Sequence, residues 1–531
     1  MFRTSHRRLL DTPAHRRLLS APAHRRLLGA PAHRRLLGAV SALILTTGVA
    51  VVGSTSVAAS PRMGGHPRSI TGSVVANLFE WNWKSVGAEC KNVLGPAGYA
   101  AVQVAPPQDS LSRTATDSTP VLHPWWEVYQ PVDYNLTSRM GDETQFKQMV
   151  QACRNAGVKV IVDAVINHMT GQGSVSYGGV HYTKYDYPGL YTADNFHGPT
   201  GACPTADGNI DDFNNYTQVF KCELVSLSDL RTETPYVQQT LANYLNKLLS
   251  YGVSGFRVDA AKHIGQDDLT AIFSRLHRTV DGERPYLALE VGTGSPGRIS
   301  PQAFTGVGTV LGFDFASQLE SAFKSYTNPP GGNIGSLKGL GEGSGLLPSN
   351  RSLAFVENHD TERNGSTLSY KDGAANTLAT EFMLAYGYGT PEVYAGFSFA
   401  TGDDSPPADA NGYVTDTDCS NGWQCTDRIP GVAGLVRFHN VAGNAPVRNW
   451  YDDGVDLAAF SRGDRAWIAI NDESTPQTHT FQTGLRHGTY CDAIHGTVSH
   501  GHCTGPTITV DHHGLATVTV PAKDSVAIYR S

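Results

Sequence analysis

Beyond residue 53 the chain has no apolar run of the roughly 18 residues that a membrane-spanning helix needs, so no helical span is expected there. Charge is sparse at 17 % of residues, and most of what is basic collects at one end. Residues 1–60 hold nine Arg against a single Asp, which leaves a net −15 on the rest of a chain whose total is −7. A body of that sign lacks the clustered Lys and Arg that a phosphate backbone requires, so no nucleic-acid partner is expected. The cysteines include no Cys-x-x-Cys pair, which argues against a zinc ribbon or dithiol motif. The 20 His form no His-Glu-x-x-His array, and no Gly-Lys-Ser/Thr phosphate loop occurs. Glycine, at 56 of 531 residues, is far below a collagen's share. With 40 % hydrophobic and 9 % aromatic side chains, the chain can bury a core and is not a disordered sequence.

The N-terminus has a pattern of its own. His6, His15, His24 and His33 open four copies of HRRLL at a period of nine, too short for a solenoid unit. The last copy leads into the apolar stretch 36–53 and then into Ser56, Val57, Ala58 and Ala59. Basic, apolar and small-residue regions in that order predict an export signal over residues 1–59, with Arg34-Arg35 leaving a twin-arginine route open. Pro13, Pro22 and Pro31 break any continuous amphipathic membrane helix across the repeats. The expected product is secreted and extracellular, with no membrane segment in the mature form. All eight cysteines (Cys90, Cys153, Cys203, Cys222, Cys419, Cys425, Cys491 and Cys503) follow the signal, and an even count in an exported chain predicts disulfides. Pairs 419–425 and 491–503 fit their short separations; spacing leaves the other four open.

From about residue 71 to 397, apolar runs with little alternation punctuate helical periods. The runs 74–81, 100–105, 158–168, 254–260, 286–291, 309–315, 353–360 and 392–395 are predicted strands buried on both faces. Phe146, Met149, Val150 and Cys153 keep helical spacing, as do Val237, Leu241, Tyr244, Leu245 and Leu248. Thr234-Pro235 and Gly252 punctuate the second helix. Eight strands joined by helices predict an α/β fold, a (β/α)8 TIM barrel over residues 71–436. A doubly wound sheet is the alternative. Residues 169–226, rich in Gly, Tyr, Asn and Asp without a helical period, are predicted to be a subdomain inserted after strand 3. From 437 to 531, alternating runs such as 466–471, 507–510 and 516–520 predict a C-terminal antiparallel all-β sandwich domain.

Several predicted strands end in groups that are costly to bury without a purpose. They are Asp163 with Asn167 and His168; Arg257 and Asp259 with Lys262 and His263; Glu290; and Asn358, His359 and Asp360. In a barrel the C-terminal strand ends converge on one face, which carries the active site. Three carboxylates would therefore meet across one mouth. Each alone has an ordinary structural explanation, as an ion pair or a satisfied core histidine; the joint pattern is what points to chemistry.

These four segments, in this order, resemble the four signature regions of the α-amylase family, glycoside hydrolase family 13. The resemblance runs from about residue 73 to the C-terminus. It is strongest towards the animal-type members through Phe79-Glu-Trp-Asn-Trp83, Val102-Gln-Val-Ala-Pro-Pro107 and Trp125-Trp-Glu-Val-Tyr-Gln130. It implies an endo-acting hydrolase of internal α-1,4-glucosidic bonds in starch, with Asp259 as nucleophile, Glu290 as acid/base and Asp360 as transition-state stabiliser. Arg257, on the same strand face as Asp259, would favour its ionised form. His168 and His359 would donate hydrogen bonds to the sugar; Lys262 and His263 are further substrate-binding candidates. Trp125, Trp126 and Tyr129 would offer flat faces to pyranose rings.

The resemblance also implies Ca2+ between barrel and insertion, held by the side chains of Asn167 and Asp229 and the carbonyls of Phe220 and His263. Many animal-type members bind chloride with two Arg and an Asn. Arg257 and Asn358 match, but Glu392 stands at the second Arg position, so chloride is not expected. The implied disulfides are 90–153, 203–222, 419–425 and 491–503. A monomer acting on starch and α-1,4-glucan oligosaccharides is expected. The alternatives are a maltooligosaccharide-forming or transglycosylating enzyme of the same family, or a non-catalytic glucan-binding barrel.

Overall fold

The computed structural model describes residues 74–113, 122–324 and 332–530; the predicted export signal lies outside them. Eight parallel strands close into a barrel: β1 Val75–Leu78, β2 Ala101–Val104, β3 Lys159–Ala164, β4 Gly255–Val258, β5 Tyr286–Leu289, β6 Thr309–Leu311, β7 Ser352–Phe355 and β8 Thr390–Ala395. β1 completes the ring, with Val75 level with Ala101 on one side and Glu392 on the other. The sixth run differs from expectation. Its strand stops at Leu311, and Phe313–Phe323 is a helix burying Phe315, Leu319, Ala322 and Phe323. A short apolar run does not separate a buried strand from the start of a helix; the spacing beyond it does.

Strand alternation explains where the polar groups sit. Val75, Ala101, Ile161, Ala288 and Leu353 share one apolar cluster. Two residues along β1, β2 and β3, on the same strand face as that cluster, stand Asn77, Gln103 and Asp163; on β4 Arg257 follows Gly255 in the same way. A polar layer thus lies above an apolar floor, towards the C-terminal strand ends. Gly255 is required here, because a Cβ would come within 2.5 Å of the Tyr286 carbonyl oxygen. The opposite strand faces, including Val102, Val160, Val162, Phe256 and Leu289, join the helices in the main core. Helix Glu143–Asn155 buries Phe146, Met149, Val150 and Cys153, and helix Pro235–Ser250 begins after its Thr234 N-cap with proline in its first turn.

Between β3 and β4 the chain detours through an insertion of short helices, His197–Thr200 and Tyr216–Lys221, around Tyr182, Tyr187, Tyr191 and Phe196. The disulfide Cys203–Cys222 closes it, and Cys90–Cys153, Cys419–Cys425 and Cys491–Cys503 complete the set. After β5, Gly292, Gly294 and Gly297 have the spacing of a dinucleotide fingerprint. They lead into a three-residue turn, Gly297–Ile299, without the long helix whose N-terminus would hold a pyrophosphate.

Helix Pro430–Ala442 runs past residue 436, so the β domain's first strand is β9, Val447–Asp452. Its main sheet orders Asp524–Tyr529, then Ala466–Asn471, Leu457–Arg462 and β9, all antiparallel. Alternation gives this sheet two buried faces. Ala458, Phe460, Ile468, Ile470 and Ala527 continue the barrel's core, whereas Leu457, Ala459, Trp467, Val526 and Ile528 pack with Phe481, Val510 and Val518. Polar ties reinforce the junction: Ser525 Oγ donates to Glu381 Oε2 at 2.6 Å, and Arg462 Nη1 to the Ala385 carbonyl at 2.7 Å.

Candidate active site

β3 and β4 lie in register with Asp163 opposite Arg257, so the polar layer is paired across strands. Arg257 Nη1 donates to Asp163 Oδ1 at 2.8 Å and to Asp259 Oδ1 at 2.6 Å, while Nη2 stands 2.9 Å from Glu290 Oε1. The Ala260 N–H donates to Glu290 Oε2 at 2.7 Å from a left-handed backbone conformation, φ +47°. One guanidinium therefore binds three carboxylates from three adjacent strands.

Burial raises Asp259, and the Arg257 charge and hydrogen bond oppose that rise without cancelling it. The expectation that Arg257 favours the ionised nucleophile captures one contribution; dehydration of the site is the larger one. Glu290 is raised by burial too, against Arg257, and the charge of Asp259 raises it further. Within this pair, an ionised Asp259 favours the protonated form of Glu290. Asp163 is pushed up to about 7, first by burial, with Arg257 opposing and Asp259 adding. Asp360 reaches about 7 through burial and then the Glu290 charge. With 46 % of its side chain open, water relieves part of the first effect.

The aromatic candidates divide. Trp125 and Trp126 are half-buried, and their indole N–H groups donate to Gly402 O at 2.7 Å and Asp403 Oδ1 at 3.1 Å. Tyr129 is buried; its ring stacks 5.0 Å from that of His359, and its hydroxyl donates to Asp163 Oδ2 at 2.8 Å. It braces the site, leaving the two half-buried tryptophans as the more exposed aromatic surfaces. His168 Nε2 lies 3.0 Å from the Tyr129 carbonyl, which can only accept, so that N–H is engaged and a sugar would have to share it. Burial pushes His168 down to about 4. His359 is sandwiched between Tyr129 and Phe79, with Nε2 3.6 Å from Asp360 Oδ2. Lys262 Nζ donates to Ser295 Oγ at 2.7 Å, and Ser295 in turn to the Phe213 carbonyl, tying the β4 end to the insertion.

The calcium candidates fall into two pairs. Asn167 Nδ2 lies 3.3 Å from Asp229 Oδ1, and the other oxygen of Asp229 meets His197 Nδ1 at 2.6 Å. His263 Nδ1 lies 3.2 Å from the Val219 carbonyl, which brings His263 beside Phe220. Among the described residues no three His, Cys, Asp or Glu side chains group as a metal site. A cation here would rest on one carboxylate, an amide and main-chain carbonyls, an oxygen set that suits Ca2+ rather than a softer metal. Glu392 is buried, accepts from Asn77 Nδ2 at 3.2 Å, and is pushed up to about 7 by burial, with Asn77 and Arg257 opposing.

Sequence reasoning passed over Asp163 as a partner of Arg257, Phe79 as the slab under His359, and Gly402–Asp403 as the anchor of the tryptophans. The alternation of β3 against β4 could have supplied the first; the others join segments hundreds of residues apart.

Known proteins place the chain. The family model described as the α-amylase catalytic domain matches residues 98–281, and that of the α-amylase C-terminal all-beta domain matches 448–531. An α-amylase from Thermomonospora curvata is 44 % identical over 467 residues, covering 86 % of this chain and 73 % of that one. The pancreatic α-amylase of Sus scrofa is 37 % identical over 477 residues, covering 84 % and 91 %. Among solved structures, a mutant of α-amylase I from Eisenia fetida in complex with maltohexaose superposes with a TM-score of 0.82 at 35 % identity, covering 88 % of this chain and 99 % of that one. With a closed eightfold barrel, an all-β C-terminal domain and relatives of this identity over most of their length, the chain belongs to the α-amylase family and is a glycoside hydrolase.

Proposed function

We propose that this protein is an exported, endo-acting α-amylase that hydrolyses internal α-1,4-glucosidic bonds of starch and related glucans with retention of configuration. The observation that carries the reading is the Arg257 guanidinium held between Asp259 and Glu290 at the barrel mouth. In this reading Asp259 attacks the anomeric carbon while Glu290 protonates the departing glycosidic oxygen, giving a covalent glycosyl-enzyme. Glu290, now a carboxylate, takes a proton from water, which attacks the anomeric carbon and releases Asp259. Asp360, half open to the cleft, stabilises the positive charge that develops on the sugar. Trp125 and Trp126 offer faces for neighbouring glucose units; that the Eisenia fetida structure is a maltohexaose complex supports an extended glucan here too. Asn167, Asp229 and the carbonyls of Phe220 and His263 would hold Ca2+, which would fix the insertion against the barrel. Export is supported by the leader pattern and by four disulfides in the described residues.

The test is the product profile from amylose beside an Asp259→Asn control. An early fall in iodine colour with mixed oligomers, abolished by the substitution, is expected. A single dominant product would indicate a maltooligosaccharide-forming enzyme, and glucan binding without hydrolysis by either protein would indicate a non-catalytic barrel.

A further inference from the structure

Three residues after Asp360, Arg363 lies in a cage. Its guanidinium carbon sits 5.3 Å from the ring centre of Phe79, 5.1 Å from Trp125, 4.9 Å from Phe397 and 4.6 Å from Phe399. The side chain is 5 % exposed, and Nε and Nη2 are buried without a hydrogen-bond acceptor. Nη1 donates to the main-chain carbonyl of His359 at 2.7 Å and to Glu362 Oε1 at 2.6 Å, and Tyr394 Oη donates to that same carboxylate oxygen at 2.8 Å. A buried cation ringed by four aromatics is costly as a structural device alone: a desolvated cation–π contact contributes about 2 kcal/mol, less than removing the charge from water costs. The cage also shares its walls with the site. Phe79 lies parallel to the His359 ring at 4.6 Å, and Trp125 is 5.3 Å from it.

We propose that Arg363 is a positioning residue for the reaction, fixing the His359–Asp360 segment against the aromatic wall through the His359 carbonyl and the cage. The inference rests on the reading above, in which His359 and Asp360 face the sugar. It also accounts for the state of His359. Burial depresses this imidazole well below its ordinary value, and the charges of Arg257, from β4, and Arg363 depress it further. The other groups facing it are the Asp360 carboxylate at its side and the rings of Phe79, Trp125 and Tyr129, while Glu80 and Glu362 face Arg363. A neutral His359 beside Asp360 offers a hydrogen bond to a sugar hydroxyl without competing for the carboxylate as an ion-pair partner.

The experiment compares wild type, Arg363→Lys and Arg363→Met in the full chain. Steady-state amylose hydrolysis is measured together with the His359 titration by NMR of histidine-labelled protein, assigned with His359→Gln. Arg363→Met is expected to lower kcat about tenfold or more with KM within about twofold, the cost of a small misplacement near reacting groups. It is also expected to move the His359 titration upward. Arg363→Lys keeps the charge and is expected to leave that titration near wild type. A folded Arg363→Met with unchanged kcat overturns the proposal, and so does lost kcat with an unmoved titration, which is what a merely structural role gives. Should Arg363→Met not fold, Phe399→Leu opens the outer wall to water, screens the guanidinium and is expected to move the titration the same way; an unmoved titration overturns the proposal. If the wild type itself hydrolyses no α-1,4-glucan, the functional reading has failed, and the His359 titration still reports on Arg363.

Discussion

Arg257 holds Asp259 across 2.6 Å, and the second nitrogen of the same guanidinium stands 2.9 Å from Glu290. Because Asp163 also bonds this group, Arg257 is the cation shared by two buried carboxylates and one partly buried one. Arg257→Met is expected to lower folding stability at neutral pH by about 3–5 kcal/mol, the cost of removing one partner from a buried ionic group. The loss should shrink at low pH, where the carboxyls are protonated. Denaturant titrations at pH 7 and pH 4 check this; equal losses at both would show that the effect is packing and not charge.

Glu80 gives a second, separate pH signal. It is fully buried in a left-handed conformation, φ +56°, and burial pushes it up to about 8 from 4.5, against the pull of Arg139 and Arg363. A carboxyl raised in the fold contributes stability that is fully present below its unfolded value near 4.5 and is lost as pH rises through 8. The melting temperature of the wild type relative to Glu80→Gln should therefore fall between pH 5 and pH 9. Parallel melting curves across that range would refute the assignment.

Asp403 tests the tryptophan platform without touching the carboxylates. Its Oδ1 accepts the Trp126 indole N–H at 3.1 Å. Asp403→Ala is expected to raise KM for maltoheptaose about 3- to 10-fold with kcat nearly kept, since a lost hydrogen bond of about 1 kcal/mol loosens a binding surface and not the reacting groups. A fall in kcat at unchanged KM would place Trp126 elsewhere in the mechanism.

Calcium is expected to stabilise the native chain. A chelator should lower the melting temperature, added Ca2+ should restore it, and Asn167→Ala should melt at the lower temperature whether or not chelator is present. If the chelator leaves the wild type's melting temperature where it was, no cation rests on Asn167 and Asp229.

Chloride should not activate. Glu392 places a buried acidic group within electrostatic reach of Arg257, where an added anion would be repelled whenever that group is ionised. Hydrolysis rates at pH 8, where Glu392 is ionised, with and without added chloride at matched ionic strength are expected to agree, and several-fold activation would contradict this.

The sequence by itself determined most of the elements and which polar groups stand at their ends. Strands buried on both faces are mostly apolar with little alternation, so 100–105 and 286–291 announce themselves. Thr234-Pro235 marks a helix start because a proline in the first turn forfeits no intrahelical hydrogen bond, and Asp259, Glu290 and Asp360 stand out as charges where apolar runs stop. These are local signals, readable over a few residues. Only the tertiary structure decided the rest. Which carboxylates share Arg257 depends on the β3–β4 register; whether Tyr129 is a platform or a brace depends on the ring it meets, His359. The tryptophans are fixed by Gly402 and Asp403, 277 residues away, and Arg363 gains its cage from β1, the Trp125 turn and the segment after β8. Periodicity carries no record of such meetings, because it reports which face a side chain takes and not what closes over that face when the barrel forms.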